Sequence, residues 1–282
     1  MLKVKINGKA YEAEKGEFIL EVCRRNRVLV PTLCHHEGIP GQGACRLCVV
    51  EVNEGKGNQV VVSCVYPLIR DCEVSTESEK IKSIRKTILS MLITRAPQGD
   101  RLASLCQIYG VTAGAADKRF TAPKAAKGSS GSRISSPAEK KLASSCVLCG
   151  LCGQACASLG TGAISTVGRG VGKEISTPYG EPSADCIGCG SCASVCPTKA
   201  IECAESKKER SIWGRKFKLL RCSSCGAAFA TEEEYAWAQK KAVAGEAAEG
   251  KAAEAGSGSV LCDVCRKKKS ADVFAEAFGE RA

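Results

Sequence analysis

An α+β protein assembled from several small units is what this 282-residue sequence predicts. Three observations carry that expectation. The first 78 residues alternate apolar and polar positions around turn signals. Residues 79–110 repeat apolar residues at helical spacing. Sixteen of the twenty cysteines then fall into four sets, each built around C-x2-C pairs. Aromatic residues make up only 5% of the chain, too few for one large core, so two or three small domains are expected.

The elements follow in order. Leu2, Val4 and Ile6 alternate, Asn7-Gly8 is a hairpin turn, and Tyr11 and Ala13 continue the return strand. Glu17 to Arg25 reads as a short helix with Phe18, Leu20, Val22 and Cys23 apolar. Residues 49–52 and 60–62 are rich in valine, and residues 72–76 read as a last strand. Ile81, Ile84, Ile88, Leu89, Leu92 and Ile93 keep helical spacing, Pro97 marks the break, and a second short helix spans about 100–109. Residues 111–137 are rich in Ala, Gly, Ser and Lys, as an exposed linker is. Residues 138–210 hold the densest cysteines. Within them Ile164-Ser165-Thr166-Val167 and Glu174-Ile175-Ser176-Thr177 flank a glycine-rich turn, the pattern of an inserted hairpin. Residues 211–282 form a last unit, with a C-x2-C pair near each end, a helical stretch near 231–242 and an Ala/Gly/Glu-rich loop over 245–259.

Composition narrows the function. Cysteines in C-x-x-C pairs suit metals, whereas a disulfide scaffold is normally a much shorter secreted chain. Met1-Leu2-Lys3-Val4-Lys5 opens without the apolar stretch of a signal peptide, and no run approaches 18 apolar residues. A cytoplasmic, reduced location is therefore expected. The formal charge of +11 counts cysteines as neutral. Metal-bound thiolates would lower it, so charge alone does not argue for nucleic acid. Neither a G-x-G-x-x-G in a βαβ setting nor a G-x-x-x-x-G-K-[ST] loop occurs. Gly168-Arg169-Gly170-Val171-Gly172 sits in a turn, and no nucleophile–base pair or carboxylate dyad stands out. No catalytic residue is assigned.

Cys34, Cys45, Cys48 and Cys64 have the pattern C-x10-C-x2-C-x15-C. Gly41-Gln42-Gly43-Ala44 precedes the central pair, and glycine lets a loop wrap closely enough for its N–H groups to reach sulfur. Four thiolates can hold two irons; a zinc site or four buried cysteines are the alternatives. With Val30-Pro31-Thr32-Leu33-Cys34-His35 and the β–β–α opening, the stretch resembles the N-terminal [2Fe–2S] domain of the large peripheral-arm subunit of respiratory complex I. Related domains occur in the small diaphorase subunit of NAD-reducing hydrogenases. The resemblance implies a β-grasp fold for residues 1–78. That family continues into a segment carrying a His and three Cys for a further cluster. Here Thr94-Arg95-Ala96-Pro97-Gln98-Gly99-Asp100-Arg101 has none of these ligands, so the helices over 79–110 are expected without a metal and Cys106 as a core residue. His35 and His36, the only histidines, are expected to pack around the first ligand.

Cys146, Cys149, Cys152 and Cys156 give C-x2-C-x2-C-x3-C. Cys186, Cys189, Cys192 and Cys196, followed by Pro197, repeat it. Two copies resemble a bacterial 2[4Fe–4S] ferredoxin. In such units the fourth cysteine of each motif crosses to the other cluster. The resemblance thus implies one cluster on Cys146, Cys149, Cys152 and Cys196 and a second on Cys186, Cys189, Cys192 and Cys156. Ala157 stands where the first motif would carry proline. Cys203 is left over as a packing residue in a strand.

Cys222-Ser223-Ser224-Cys225 and Cys262-Asp263-Val264-Cys265 resemble the two knuckles of a zinc ribbon with a long insert. Four soft thiolates suit tetrahedral zinc, and a third [4Fe–4S] cluster is the rival. Arg266-Lys267-Lys268-Lys269 reads as a solvated face or a docking edge.

Together these readings describe a [2Fe–2S] β-grasp domain, a short helical segment, a 2[4Fe–4S] ferredoxin-like domain and a zinc-ribbon-like end. Several clusters and no substrate site suit a wire. By resemblance, the partners are a flavoprotein of the NADH-oxidising type, a thioredoxin-like [2Fe–2S] subunit and a catalytic subunit such as a hydrogenase or a formate or aldehyde dehydrogenase. Electron bifurcation enters by family analogy alone. The alternatives are a redox-sensing regulator that binds nucleic acid or protein through its C-terminal module, and a free-standing polyferredoxin.

Overall fold

The computed structural model describes residues 1–112, 142, 144–248 and 260–278. The expected linker lies almost wholly outside these, as does the loop over 245–259 beyond Ala248. The described chain divides into two compact units. One comprises Met1–Ser176 with Ser191–Glu202; the other comprises Thr177–Gly190 with the residues from Cys203 onward.

In the first unit, strands β1 (Leu2–Ile6) and β2 (Lys9–Ala13) pair in antiparallel register, Ile6 against Lys9. The two-residue turn needs positive φ at both positions, and Asn7 at 48° and Gly8 at 85° supply it. Helix α1 (Ile19–Arg25) follows, its Glu21 carboxylate accepting the Phe18 N–H at 3.2 Å. Strands β3 (Val49–Asn53), β4 (Asn58–Val62) and β5 (Cys72–Ser75) complete a five-stranded sheet of order β2-β1-β5-β3-β4. Only the β1–β5 pair is parallel among its ladders. Asn7 locks that pair, since its side chain exchanges hydrogen bonds with Thr76. Ile19, Val22 and Cys23 of α1 pack on Val4, Ile6, Val50, Val52 and Val74. A mixed sheet crossed by one helix is the architecture expected for residues 1–78.

Helix α2 (Glu79–Arg95) starts at Ser78, whose hydroxyl accepts the Ile81 N–H. It buries Ile81, Arg85, Leu89 and Ile93, one position per turn, and stops two residues before Pro97. Helix α3 (Asp100–Ile108) buries Leu102 and Cys106, the latter as a core residue. Helix α4 (Leu151–Ser158) and the short α5 (Ser191–Ser194) carry cysteines. Strands β6 (Ser165–Val167) and β7 (Glu174–Ser176) form the hairpin expected between the two motifs.

The second unit holds a four-stranded sheet of order β11-β10-β9-β8, comprising β8 (Cys203–Glu205), β9 (Glu209–Ile212), β10 (Arg215–Arg221) and β11 (Ala228–Thr231). Two of its strands begin before residue 211, where the sequence reading opens its last unit. The β9–β10 hairpin turns on Trp213-Gly214, both at positive φ. Helix α6 (Glu232–Ala248) is capped by Thr231, whose hydroxyl accepts the Glu234 N–H while Glu234 accepts the Thr231 N–H. Helix α7 (Asp263–Phe278) ends the described chain.

Candidate functional site

Cys34, Cys45, Cys48 and Cys64 are all buried in the first unit. Cys45 and Cys48 lie on the loop entering β3, and Cys64 sits in a single 3-10 turn after β4. The Cys45 N–H donates to Cys34 Sγ at 3.3 Å and the Leu33 N–H to Cys45 Sγ at 3.4 Å. Between the central pair, Arg46 takes a left-handed φ of 59°, which helps the loop fold back. The thiols compete for protons. Hydrogen bonds from the Cys45 and Cys64 thiols pull Cys34 far down, and the Cys64 thiol pulls Cys48 down; the same bonds, with burial, push Cys45 and Cys64 up. Four buried sulfurs whose thiols share hydrogen bonds suit a cation in place of those protons, so the donor set fits an iron–sulfur cluster. His35 stands beside the loop, its buried Nδ1 without a hydrogen-bond partner.

Gly41 tolerates no side chain. A Cβ there would lie 2.6 Å from the Cys64 carbonyl oxygen. Gly41→Ala is expected to lose most of the two-iron EPR signal per chain while four-iron signals persist. An unchanged two-iron signal would show that the loop has room to move.

The first-motif loop and Cys196 face one small cavity. Cys146, Cys149, Cys152 and Cys196 line it together with Val147, Gly150, Ile175, Thr198, Ala200 and Ile201. The Leu148 N–H donates to Cys146 Sγ at 3.4 Å, and the Ala200 N–H to Cys196 Sγ at 3.3 Å. Burial pushes the Cys149 thiol up to about 12 and raises Cys146 and Cys152 as well. Burial in so apolar a setting disfavours bare thiolates, so the four donors suit a bound cationic core. The backbone takes left-handed φ at Leu148 (53°) and Gly150 (78°), and at the matching Gly188 (68°) and Gly190 (76°) of the second motif. Both loops therefore turn in the same way, and Leu148 does so without being glycine.

Cys156 lies in the last turn of α4 with its Sγ 3.1 Å from Thr161 Oγ1, and Cys192 is buried on α5. Both belong to the first unit, whereas Cys186 and Cys189 belong to the second. Cys203 begins β8, where Gly190 leaves room for its sulfur.

In the second unit, Cys222 and Cys225 occupy the turn from β10 to β11. The Gly226 N–H donates to the Cys222 carbonyl and the Cys222 N–H to Ala227, which makes a tight knuckle. Cys262 and Cys265 lie at the first turn of α7, where the sequence has a helix-like basic run. A helix start exposes unpaired N–H groups that stabilise thiolates, so a helix serves the role of the second knuckle. Ser223 straps the pairs together, its N–H and hydroxyl both donating to the Val260 carbonyl. All four sulfurs lie within 4.8 Å of one another, with Cys225 and Cys262 at 3.8 Å. Backbone N–H groups of Cys262 and Cys225 hold the Cys222 thiol below its usual range. A tetrahedral ion bound by sulfur at about 2.3 Å sets its ligands about 3.8 Å apart. The donor set fits a single ion.

Residues 1–79 match the family described as a 2Fe-2S iron-sulfur cluster binding domain, and residues 145–200 and 185–231 each match a 4Fe-4S dicluster domain. The chain carries a [2Fe–2S] domain and a [4Fe–4S] dicluster domain. This iron–sulfur chain is 31% identical over 119 residues to the NADH-ubiquinone oxidoreductase 75 kDa subunit of Reclinomonas americana, a match covering 39% of the chain and 17% of the relative. It is 29% identical over 96 residues to the mitochondrial NADH-ubiquinone oxidoreductase 78 kDa subunit of Candida albicans, covering 34% of the chain and 13% of the relative. It thus spans less than a fifth of either. A crystal structure of an NAD+-reducing [NiFe]-hydrogenase in the H2-reduced state superposes with a TM-score of 0.54 at 25% identity, covering 70% of this chain and 85% of that one.

Several supporting residues of the iron–sulfur chain had no local sequence signal. Buried Arg85 donates to the carbonyls of Leu47 and Val49, on either side of Cys48. Arg210, Arg215 and Thr231 hold carbonyls of the loop carrying Cys186 and Cys189. Among the described residues no helix is long and apolar enough to cross a membrane.

Proposed function

We propose that the chain relays electrons between a NAD(P)H- or ferredoxin-linked flavoprotein and a catalytic subunit of a flavin-linked oxidoreductase. One observation carries the reading. Cys34 and Cys45 share a single apolar core with Cys149, closed by Leu89, Ile93 and Leu102. Two cysteine centres built into one packed body keep a fixed spacing, and the apolar packing keeps water from reorganising when charge moves. Iron–sulfur clusters supply the one-electron chemistry. The chain's own part is to grip them with thiolates, aim N–H groups at sulfur and exclude solvent.

The ligand sets are Cys34, Cys45, Cys48 and Cys64 for two irons, Cys146, Cys149, Cys152 and Cys196 for one four-iron centre, and Cys186, Cys189, Cys192 and Cys156 for the other. The close sulfurs of Cys222, Cys225, Cys262 and Cys265 favour zinc over a third cube, which spreads its four thiolates over four irons. The relatives named as NADH oxidoreductase subunits and as an NAD+-reducing hydrogenase support a flavoprotein partner.

Metal analysis of anaerobically purified chain is expected to give about ten irons and one zinc. About fourteen irons without zinc would make the last site a cluster. For the relay itself, the native assembly should copurify with a flavoprotein, and NADH should bleach the cluster absorption within it. A native chain that migrates alone and is not reduced by any flavoprotein partner would end this reading.

A further inference from the structure

Loops that carry cluster ligands need their carbonyls turned away from sulfur so that their N–H groups can face it. In the second motif every carbonyl from Cys186 to Gly188 is held by a side chain of the C-terminal sheet. Arg215 Nη1 donates to Cys186 O at 2.7 Å, and also to Ser183 O at 2.8 Å and Ala184 O at 3.0 Å. Thr231 Oγ1 donates to Ile187 O at 2.6 Å. Arg210 Nη1 donates to Gly188 O at 2.9 Å. Phe217 seals the loop from below: its ring lies against Gly188, where a Cβ would come within 2.5 Å, and it also packs under the Arg215 guanidinium.

The two guanidiniums differ in what surrounds them. Arg210 is paired with Glu205 at 2.8 Å and lies 3.7 Å from Glu234, so its charge is largely offset. Arg215 is set among carbonyl oxygens and over the Phe217 ring, with no ion pair among the described residues. A second link runs to the four-cysteine site. The Cys222–Cys225 knuckle joins β10, which carries Arg215 and Phe217, to β11, which ends on Thr231. A metal there fixes the hairpin that holds the loop.

We propose that the C-terminal sheet is a positioning and tuning element for the cluster held by Cys186 and Cys189, with Arg215 as the residue that raises that centre's potential. This rests on the reading that those two cysteines bind a cluster. Reduction adds one electron from the reductant and one negative charge to the ligand set, with no bond made or broken. A fixed cation without a carboxylate partner favours the more negative form, and outer hydrogen bonds tune such centres. The effect should be graded: large for Arg215, smaller for Arg210.

The test is an anaerobic redox titration of the full holo-chain with dithionite, followed by EPR, with the centre identified as the four-iron signal missing from Cys189→Ser. Arg215→Gln is expected to lower the ratio of reduced to oxidised centre about tenfold at fixed potential, a shift of about 59 mV for one electron. Arg210→Gln should shift it less, Arg215→Lys should stay near wild type, and the two-iron signal should not move. Loss of this centre alone in Arg215→Gln, with retention in Arg215→Lys, also supports the proposal, because both lose the planar fork but only one loses the charge. An unshifted midpoint in Arg215→Gln, or equal loss in both variants, overturns it. Survival of every four-iron signal in Cys189→Ser would instead remove the ligand assignment beneath it.

Discussion

Cys196→Ser is expected to abolish one four-iron signal and to spare the two-iron signal. The signal lost should be the one lost in Cys149→Ser, although Cys196 lies in the other motif. The physical ground is the cavity that Cys146, Cys149, Cys152 and Cys196 line together, with the Leu148 and Ala200 N–H groups already aimed at the sulfurs of Cys146 and Cys196. Serine keeps the size but offers a hard oxygen that stays protonated, where iron needs a thiolate. The cavity walls are Val147, Ile175, Ala200 and Ile201, so water cannot serve as a hydrogen-bonded substitute at low cost. If Cys196→Ser removed the signal tied to Cys189 instead, the crossover of fourth ligands would be wrong.

Arg85→Met is expected to be the most destabilising single change outside the cysteines. The side chain is fully buried and donates to Leu47 O at 3.1 Å, Val49 O at 2.9 Å, the Tyr109 hydroxyl at 2.9 Å and Glu77 at 2.9 Å. The Glu77 carboxylate is 50% exposed, so that ion pair matters little. The two carbonyls decide the effect. Each loses the Arg85 donor, at about 1–3 kcal/mol apiece, so a loss of about 2–6 kcal/mol is expected. Glu77→Gln should cost under about 1 kcal/mol. Denaturant unfolding followed by the visible circular dichroism of the two-iron centre reads both, since Leu47 lies between Cys45 and Cys48. Equal effects of the two variants would mean that the ion pair, not the carbonyls, holds Arg85 in place.

Local sequence signals specify the fold unevenly along the chain. The N-terminal sheet was legible because its contacts are local or strongly patterned: Leu2, Val4 and Ile6 alternate, and Asn7-Gly8 specifies its own turn. The β6–β7 hairpin and the helix after Thr231 were legible for the same reason. The β9–β10 hairpin carries no turn signal in the sequence, since Trp213-Gly214 is not a usual turn pair, although Lys216, Phe217, Lys218 and Leu219 do alternate in burial. The second pair of the four-cysteine site sits on a helix start, in keeping with the helix-like basic run that follows Cys265 in the sequence.

What the sequence determined by itself is the chemistry of the donors: sixteen of the twenty cysteine sulfurs in four sets, their spacing within each loop and the glycines that let those loops close. Such features act over a few residues, where chain geometry leaves few choices. Only the tertiary structure decided which distant groups support those loops. Arg85 reaches Leu47 across 38 positions, Arg215 reaches Cys186 across 29 and Thr231 reaches Ile187 across 44. An arginine in a strand or helix reads the same in sequence whether it faces water or a buried carbonyl. Its partner is chosen by packing, and packing is a property of the whole fold.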